Sequence, residues 1–226
     1  MALIATVYCP EPFAENRPEI LQALIRSYPL ATLVSVSDKG LDANHIPLYL
    51  RPGEGSQPVL QGHVARANPL WQEAVSGGEV LAIFQGPQHY ISPSWYATKA
   101  ESGKVVPTWN YAIVHAYGRL QVRDDSDWIR RQMMALTAQQ ENDLARPWRV
   151  DDAPKDFTEG LIGHVVGIEI TVARWSGKWK LSQNQPLCNR ETVVAYLEQQ
   201  KGQSESQGMA RYVRAVCQGP KKDHKG

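Results

Sequence analysis

The residues best equipped for chemistry lie in residues 90–111, YISPSWYATKAESGKVVPTWNY, between two apolar runs. Two echoing pieces, Ser92-Pro93-Ser94-Trp95-Tyr96 and Pro107-Thr108-Trp109-Asn110-Tyr111, flank a polar loop, and each sets a proline beside a hydroxyl and an indole. That mixture suits a ligand site. A surface loop pinned by buried aromatics would look the same, and both readings stand at this level.

A second candidate is residues 62–69, GHVARANP, where a strand gives way to a helix. Free N–H groups at such a junction attract anions, and Arg66 can add a bidentate contact to a phosphate. The competing reading is an Asn68 helix cap beside a solvated arginine. The third candidate is residues 177–184, GKWKLSQN, whose alternation sets Lys178, Lys180 and Ser182 on one side and Trp179 and Leu181 on the other. An edge strand shares that pattern.

Other chemistries lack their signatures. No glycine-rich dinucleotide fingerprint, phosphate loop or nucleophile elbow is present. The six histidines, His45, His63, His89, His115, His164 and His224, are never paired at metal-ligand spacing. No helix pair reads as a helix-turn-helix, and the best helix, residues 128–142, mixes Arg130-Arg131 with acidic neighbours.

The elements that must position these residues read mainly as strands. Asn16 and Glu19 have capping-box spacing ahead of a short helix that ends near Pro29. Residues 31–36 and 42–50 form a hairpin about the turn at 37–40, and a Pro-Gly-rich break at 52–55 precedes a strand at 59–64. Asn68-Pro69 opens a short helix through Ala74, which Gly77-Gly78 closes, and 80–84 is a buried strand. From 111 to 122 the residues alternate. Ala112, Val114, Ala116, Gly118, Leu120 and Val122 suit a tight barrel interior, while Tyr111, Ile113, His115 and Tyr117 face a site or an interface. A helix over 156–164, a strand over 165–172 continuing past a Ser-Gly turn to 181, and a helix capped by Asn189 complete the pattern. The expected architecture is mainly β with α decoration, one domain over residues 1–201 followed by a polar tail, 202–226, either mobile or docked as a helix over 209–216.

Bulk properties narrow the function. The 226 residues carry a net charge of +1, with 21% charged residues, so no global basic field points to nucleic acid or to an anionic membrane. Three cysteines, Cys9, Cys188 and Cys217, form neither a disulfide framework nor a metal set. Residues 1–7 lack a signal pattern, and no window approaches the ~18 apolar residues of a membrane span. A soluble, cytoplasmic protein is expected.

Taken together, the motifs resemble the PaiB-like family, the FMN-binding negative transcriptional regulators, within the FMN-binding split β-barrel group that includes pyridoxamine phosphate oxidases. The matching marks are Tyr8-x-Pro-x-x-Phe13, Pro29-Leu-Ala-Thr-Leu33, Asn44-His-Ile-Pro47, residues 62–69, Phe84-Gln-Gly-Pro87, residues 90–96, Lys104-Val-Val-Pro-Thr-Trp-Asn-Tyr111 and residues 178–184. The resemblance covers residues 8–197. It implies a split barrel, a homodimer, and FMN at the subunit interface. His63, Arg66 and Asn68 would cradle the phosphate, and Ser92, Trp95, Thr108, Trp109 and Asn110 would meet the ribityl chain and ring. Lys180, Gln183 and Asn184 would come from the partner subunit. The family label implies a repressor and so a DNA partner, which the balanced charge does not support. A flavin-dependent oxidoreductase using NAD(P)H and a small acceptor is the alternative, with flavin carrying the chemistry. Haem held by His63, His89 or His115 is a third reading.

Overall fold

The structure, a computed structural model, describes residues 7–51, 57–73, 78–200 and 204–218. The expected break at 52–55, the helix end at 74–77, residues 1–6 and the extreme tail lie outside the described residues. In chain order the strands are β1 (Ala14–Glu15), β2 (Leu30–Ser37), β3 (Gly40–Pro47), β4 (Tyr49–Arg51), β5 (Val59–Ala65), β6 (Glu79–Ile91), β7 (Thr108–Arg123) and β8 (Val165–Lys180). The helices are α1 (Pro18–Ser27), α2 (Leu70–Glu73), α3 (Lys99–Ser102), α4 (Ser126–Glu141), α5 (Lys155–Gly163), α6 (Leu187–Gln199) and α7 (Ser204–Gln218).

The chain divides into two compact units. The larger holds Asn16–Phe84 and Val114–Ser176; the smaller holds the described residues of Met1–Glu15, Gln85–Ile113 and Gly177–Gly226.

In the larger unit the strand order is β3-β2-β6-β7-β8-β5-β4. The β2–β3 hairpin closes at Ser37 and Gly40, and Gly40 takes a φ of 107°, a conformation that side chains disfavour. Along β7 the small residues Ala112, Val114, Ala116 and Gly118 are buried, while Tyr111, Ile113, His115 and Tyr117 are half-buried, as the alternation predicts. Close packing explains the glycines on this face. A Cβ on Gly118 would lie 2.3 Å from the Thr171 carbonyl oxygen, and one on Gly167 would lie 2.5 Å from the Trp128 ring. Glu169 is buried here and satisfied on both oxygens, accepting from Gln61 Nε2 and from Arg123 Nη2, each at 2.7 Å. Burial is the largest influence on its carboxyl and pushes the pKa up, but the Arg123 and Gln61 bonds with the nearby Arg charges outweigh it. The net effect holds Glu169 below the usual range.

Three local expectations need correction. The first helix starts at Pro18 with Arg17 as an uncapped N-cap, not at the Asn16–Glu19 capping box; the fixed φ and missing N–H of proline suit the first helical position and set the start. No turn interrupts β8 at Ser176-Gly177, because Gly177 pairs in extended conformation with Glu15 of β1. Asn189 does not cap α6, which begins after Pro186. Its amide is used elsewhere, as described below.

In the smaller unit α6 and α7 pack against each other. Val193, Val194 and Leu197 are buried on the first, Met209, Ala210 and Val213 on the second, both at helical spacing. The expected helix over 209–216 lies inside α7. Arg190 Nη1 ties the pair by donating to the Val216 carbonyl at 3.1 Å.

Candidate functional site

The start of β7 and the end of β8 carry a polar cluster in the smaller unit. Lys180 Nζ donates to Thr108 Oγ1. Expected from opposite subunits, these two residues meet within one chain because β7 and β8 are sheet neighbours. Just beyond, Asn110 Nδ2 donates to Ser182 Oγ at 3.0 Å while Ser182 Oγ donates to Asn110 Oδ1 at 3.1 Å. Asn110 is 0% and Ser182 3% exposed, so this pair is a buried lock rather than a free donor set. Ser182 was expected on the lysine side of an alternating strand. It is buried instead because the strand ends at Lys180 and Ser182 turns with a φ of 63°.

Gln183 holds that turn. Its Oε1 accepts from Leu181 N at 2.7 Å and its Nε2 donates to the Trp179 carbonyl. Asn184 is exposed and makes no hydrogen bond among the described residues. Above the cluster Trp109, 51% exposed, meets Tyr90 edge-on at 6.0 Å, and Tyr90 is 43% exposed. Ser92 accepts from Ser94 N at 3.2 Å and starts the turn that carries Trp95, whose indole stacks on Tyr196 at 5.6 Å and lies 5.8 Å from the His89 ring. Tyr96 is buried with its hydroxyl unpartnered among the described residues. Burial raises its pKa, and the nearby Ser182 hydroxyl opposes that shift from outside hydrogen-bond geometry.

His63, Arg66 and Asn68 lie in the larger unit and are already engaged. His63 Nδ1 donates to Gln132 Oε1 at 2.8 Å, leaving Nε2 as the ring's open atom. Arg66 sends Nη1 and Nη2 to the two Asp124 oxygens at 3.0 and 2.6 Å, Nε to the Gly163 carbonyl at 3.1 Å, and Nη2 also to the Val165 carbonyl at 3.0 Å. Four of its five N–H groups are therefore spent. The Asp124 carboxyl is held below the usual range, chiefly by the Arg66 hydrogen bond. Asn68 Nδ2 donates to Asn44 Oδ1 at 2.7 Å, and its Oδ1 accepts from Leu70 N at 2.9 Å. The backbone N–H groups of Arg66 and Asn68 donate to His164 O and Ala65 O, both at 2.8 Å, so these two junction donors are already taken.

Sequence reasoning missed Asp124, Gln132, Asn189 and Tyr196. Each acts on a residue at least 58 positions away, as Asp124 does on Arg66, and no local pattern announces such a partner.

The mainly antiparallel sheet with helices in its connections places the chain in a class by fold, the split β-barrels. The family is shown by the sequence itself: the model described as "Putative FMN-binding domain" matches residues 7–174, and the chain belongs to this PaiB-like FMN-binding family. An uncharacterized protein of Emericella nidulans is 35% identical over 85% of this chain and 90% of its own length. The protease synthase and sporulation protein PAI 2 of Bacillus subtilis is 28% identical over 89% and 94%. Among solved structures, the FAD and heme binding protein from Mycobacterium smegmatis superposes with a TM-score of 0.54 at 17% identity, over 74% of this chain and 73% of that one, and supports the fold. The protein binds FMN.

The residues present fit that group. The ammonium of Lys180 has three donors and spends one on Thr108. The half-buried Thr108 hydroxyl suits a ribityl chain, and the exposed faces of Trp109 and Tyr90 suit a flat ring.

Proposed function

We propose that the chain is a cytoplasmic homodimeric FMN-binding regulator, with FMN held where the subunits meet. The observation that carries the reading is the Lys180–Thr108 pair beside the exposed Trp109 and above the buried Asn110–Ser182 lock. In this reading Lys180, Thr108 and Asn184 supply polar contacts, and Trp109 and Trp95 wall the ring. Ser92, Asn110 and Gln183 act by fixing the backbone around them. Within the larger unit, His63, Arg66 and Asn68 are the residues we offer to a phosphate, for which Arg66 would exchange the Asp124 carboxylate for a phosphate oxygen. The adjacent exposed rings of Tyr90 and Trp109 support a partner subunit, since exposed aromatic surface of this kind is often covered by a partner. Among the described residues no helix is long and apolar enough to cross a membrane. The regulatory role rests on the resemblance of the motifs to the FMN-binding regulator family alone, and nothing further supports DNA contact.

Bound FMN supplies redox capacity at its ring. The protein's own groups bind, orient and shield it. The test is titration of the purified protein with FMN, alongside Lys180→Met and Thr108→Val. Weakening of at least several-fold in both variants supports the assignment; wild-type affinity in both removes it. NAD(P)H-driven bleaching of the flavin at a useful rate would favour the oxidoreductase reading, and a salt-sensitive shift of a specific promoter fragment would favour the repressor.

A further inference from the structure

Helix α6 lies beyond the residues matched by the family model, yet it grips the loop that leads into the proposed flavin site. Asn189 Oδ1 accepts from Thr98 N at 3.0 Å, and Asn189 Nδ2 donates to Thr98 Oγ1 at 3.0 Å and to Gln185 Oε1 at 3.1 Å. The side chain is 1% exposed and every polar atom is used. Two turns along the same helix, Tyr196 stacks on Trp95 with the rings 10° from parallel. Seven residues is close to two helical turns, so both side chains project toward the loop from one face. The loop contributes its own restraints. Ser92 caps the turn holding Trp95, and Lys99 Nζ donates to Ser94 Oγ at 3.1 Å.

We propose that Asn189 and Tyr196 are positioning residues of the flavin site, which set the Trp95 indole and fix the backbone of residues 95–98 that carries it. This rests on the reading above, in which Trp95 walls the ring. Asn189 acts on the backbone: its amide replaces both the donor and the acceptor that Thr98 would otherwise find in water, which fixes the chain three residues past Trp95. Tyr196 acts on the ring itself. Its hydroxyl has no hydrogen bond among the described residues, so the stack alone carries its effect. Tyr196 is also half-exposed, so its truncation opens no core cavity. The C-terminal helix pair thereby tunes a site whose direct contacts lie earlier in the chain.

The test uses the full chain with FMN as the probe, in wild type, Tyr196→Ala, Tyr196→Phe, Asn189→Ala and Trp95→Ala. Two readouts are taken: the affinity and fluorescence of bound FMN, and the rate of tryptic cleavage at Lys99 and Lys104 in the protein without FMN. The inference expects Tyr196→Ala and Asn189→Ala to weaken FMN binding 3- to 10-fold, on the order of a small ligand-site interaction, and to leave the bound flavin less quenched. Tyr196→Phe keeps the stack and restores wild-type behaviour. Asn189→Ala cleaves faster even without FMN. If Trp95→Ala loses affinity while Tyr196→Ala and Asn189→Ala match wild type, the positioning role is wrong and the site stands. If Trp95→Ala also binds FMN with wild-type affinity and quenching, the site assignment itself fails. Should Asn189→Ala not fold, Tyr196→Ala against Tyr196→Phe decides the matter.

Discussion

Replacing Asn110 by alanine deletes both hydrogen bonds of the buried lock and strands the Ser182 hydroxyl at 3% exposure. Each bond contributes about 0.5–1.5 kcal/mol net, and a buried group left without a partner costs about 1–3 kcal/mol. The single change should therefore destabilise the fold by roughly 2–4 kcal/mol. Ser182→Ala should cost about as much, because it strands the Asn110 amide instead. The double variant strands neither group, so it should cost little more than either single change, with a coupling of about 1–3 kcal/mol. Urea unfolding of the four proteins measures this cycle. FMN affinity measured on the same proteins should fall by similar factors in both single variants, since each acts through the same turn. Additive stabilities would refute the lock. A loss of FMN affinity confined to Asn110→Ala would show that Asn110 touches the flavin directly.

Four other outcomes follow from the geometry. Gly118→Ala drives a methyl to 2.3 Å from a backbone oxygen and should cost about 1–3 kcal/mol or more, whereas Gly160→Ala, in open space within α5, should stabilise by about 0.5–1 kcal/mol; thermal melts order the two. His115 is half-buried, its Nδ1 has no partner among the described residues, and burial lowers its pKa below 6.5. Its folded pKa lies below its unfolded one, so its neutral form favours the fold above pH 6.5 and stability falls as pH drops from there to the folded pKa; His115→Gln should flatten that part of the stability–pH curve. Asp124→Asn removes the anion that competes for Arg66, so FMN should bind several-fold tighter, and an unchanged affinity would leave Arg66 as a structural latch.

Local patterns in the sequence predicted those elements that neighbouring residues control. The alternation along residues 111–122 set the two faces of β7, and the break between Val36 and Leu41 set the hairpin, because period-two burial and turn chemistry act within a few residues. The Asn16 cap failed where two local signals competed and Pro18 won. The Ser-Gly turn in β8 failed because pairing with β1, more than 160 positions away, holds Gly177 extended. The site divides the same way. Residue types pointed to Thr108, Trp109 and Lys180, but the Lys180–Thr108 and Asn110–Ser182 pairs each join positions 72 apart. The Asp124 carboxylate that occupies Arg66 was equally beyond local reach, so the anion-site pattern at 62–69 could not reveal that its main donor is already engaged.

The most direct test is a spectroscopic titration of the purified protein with FMN, read with the mass of the complex in solution. The account predicts saturable binding of one FMN per chain, with a shifted and quenched flavin spectrum, in a particle of twice the chain's mass. Lys180→Met should weaken that binding several-fold without changing the fold. A protein that leaves the FMN spectrum unchanged, or that binds FMN equally well without Lys180 and Thr108, would contradict it.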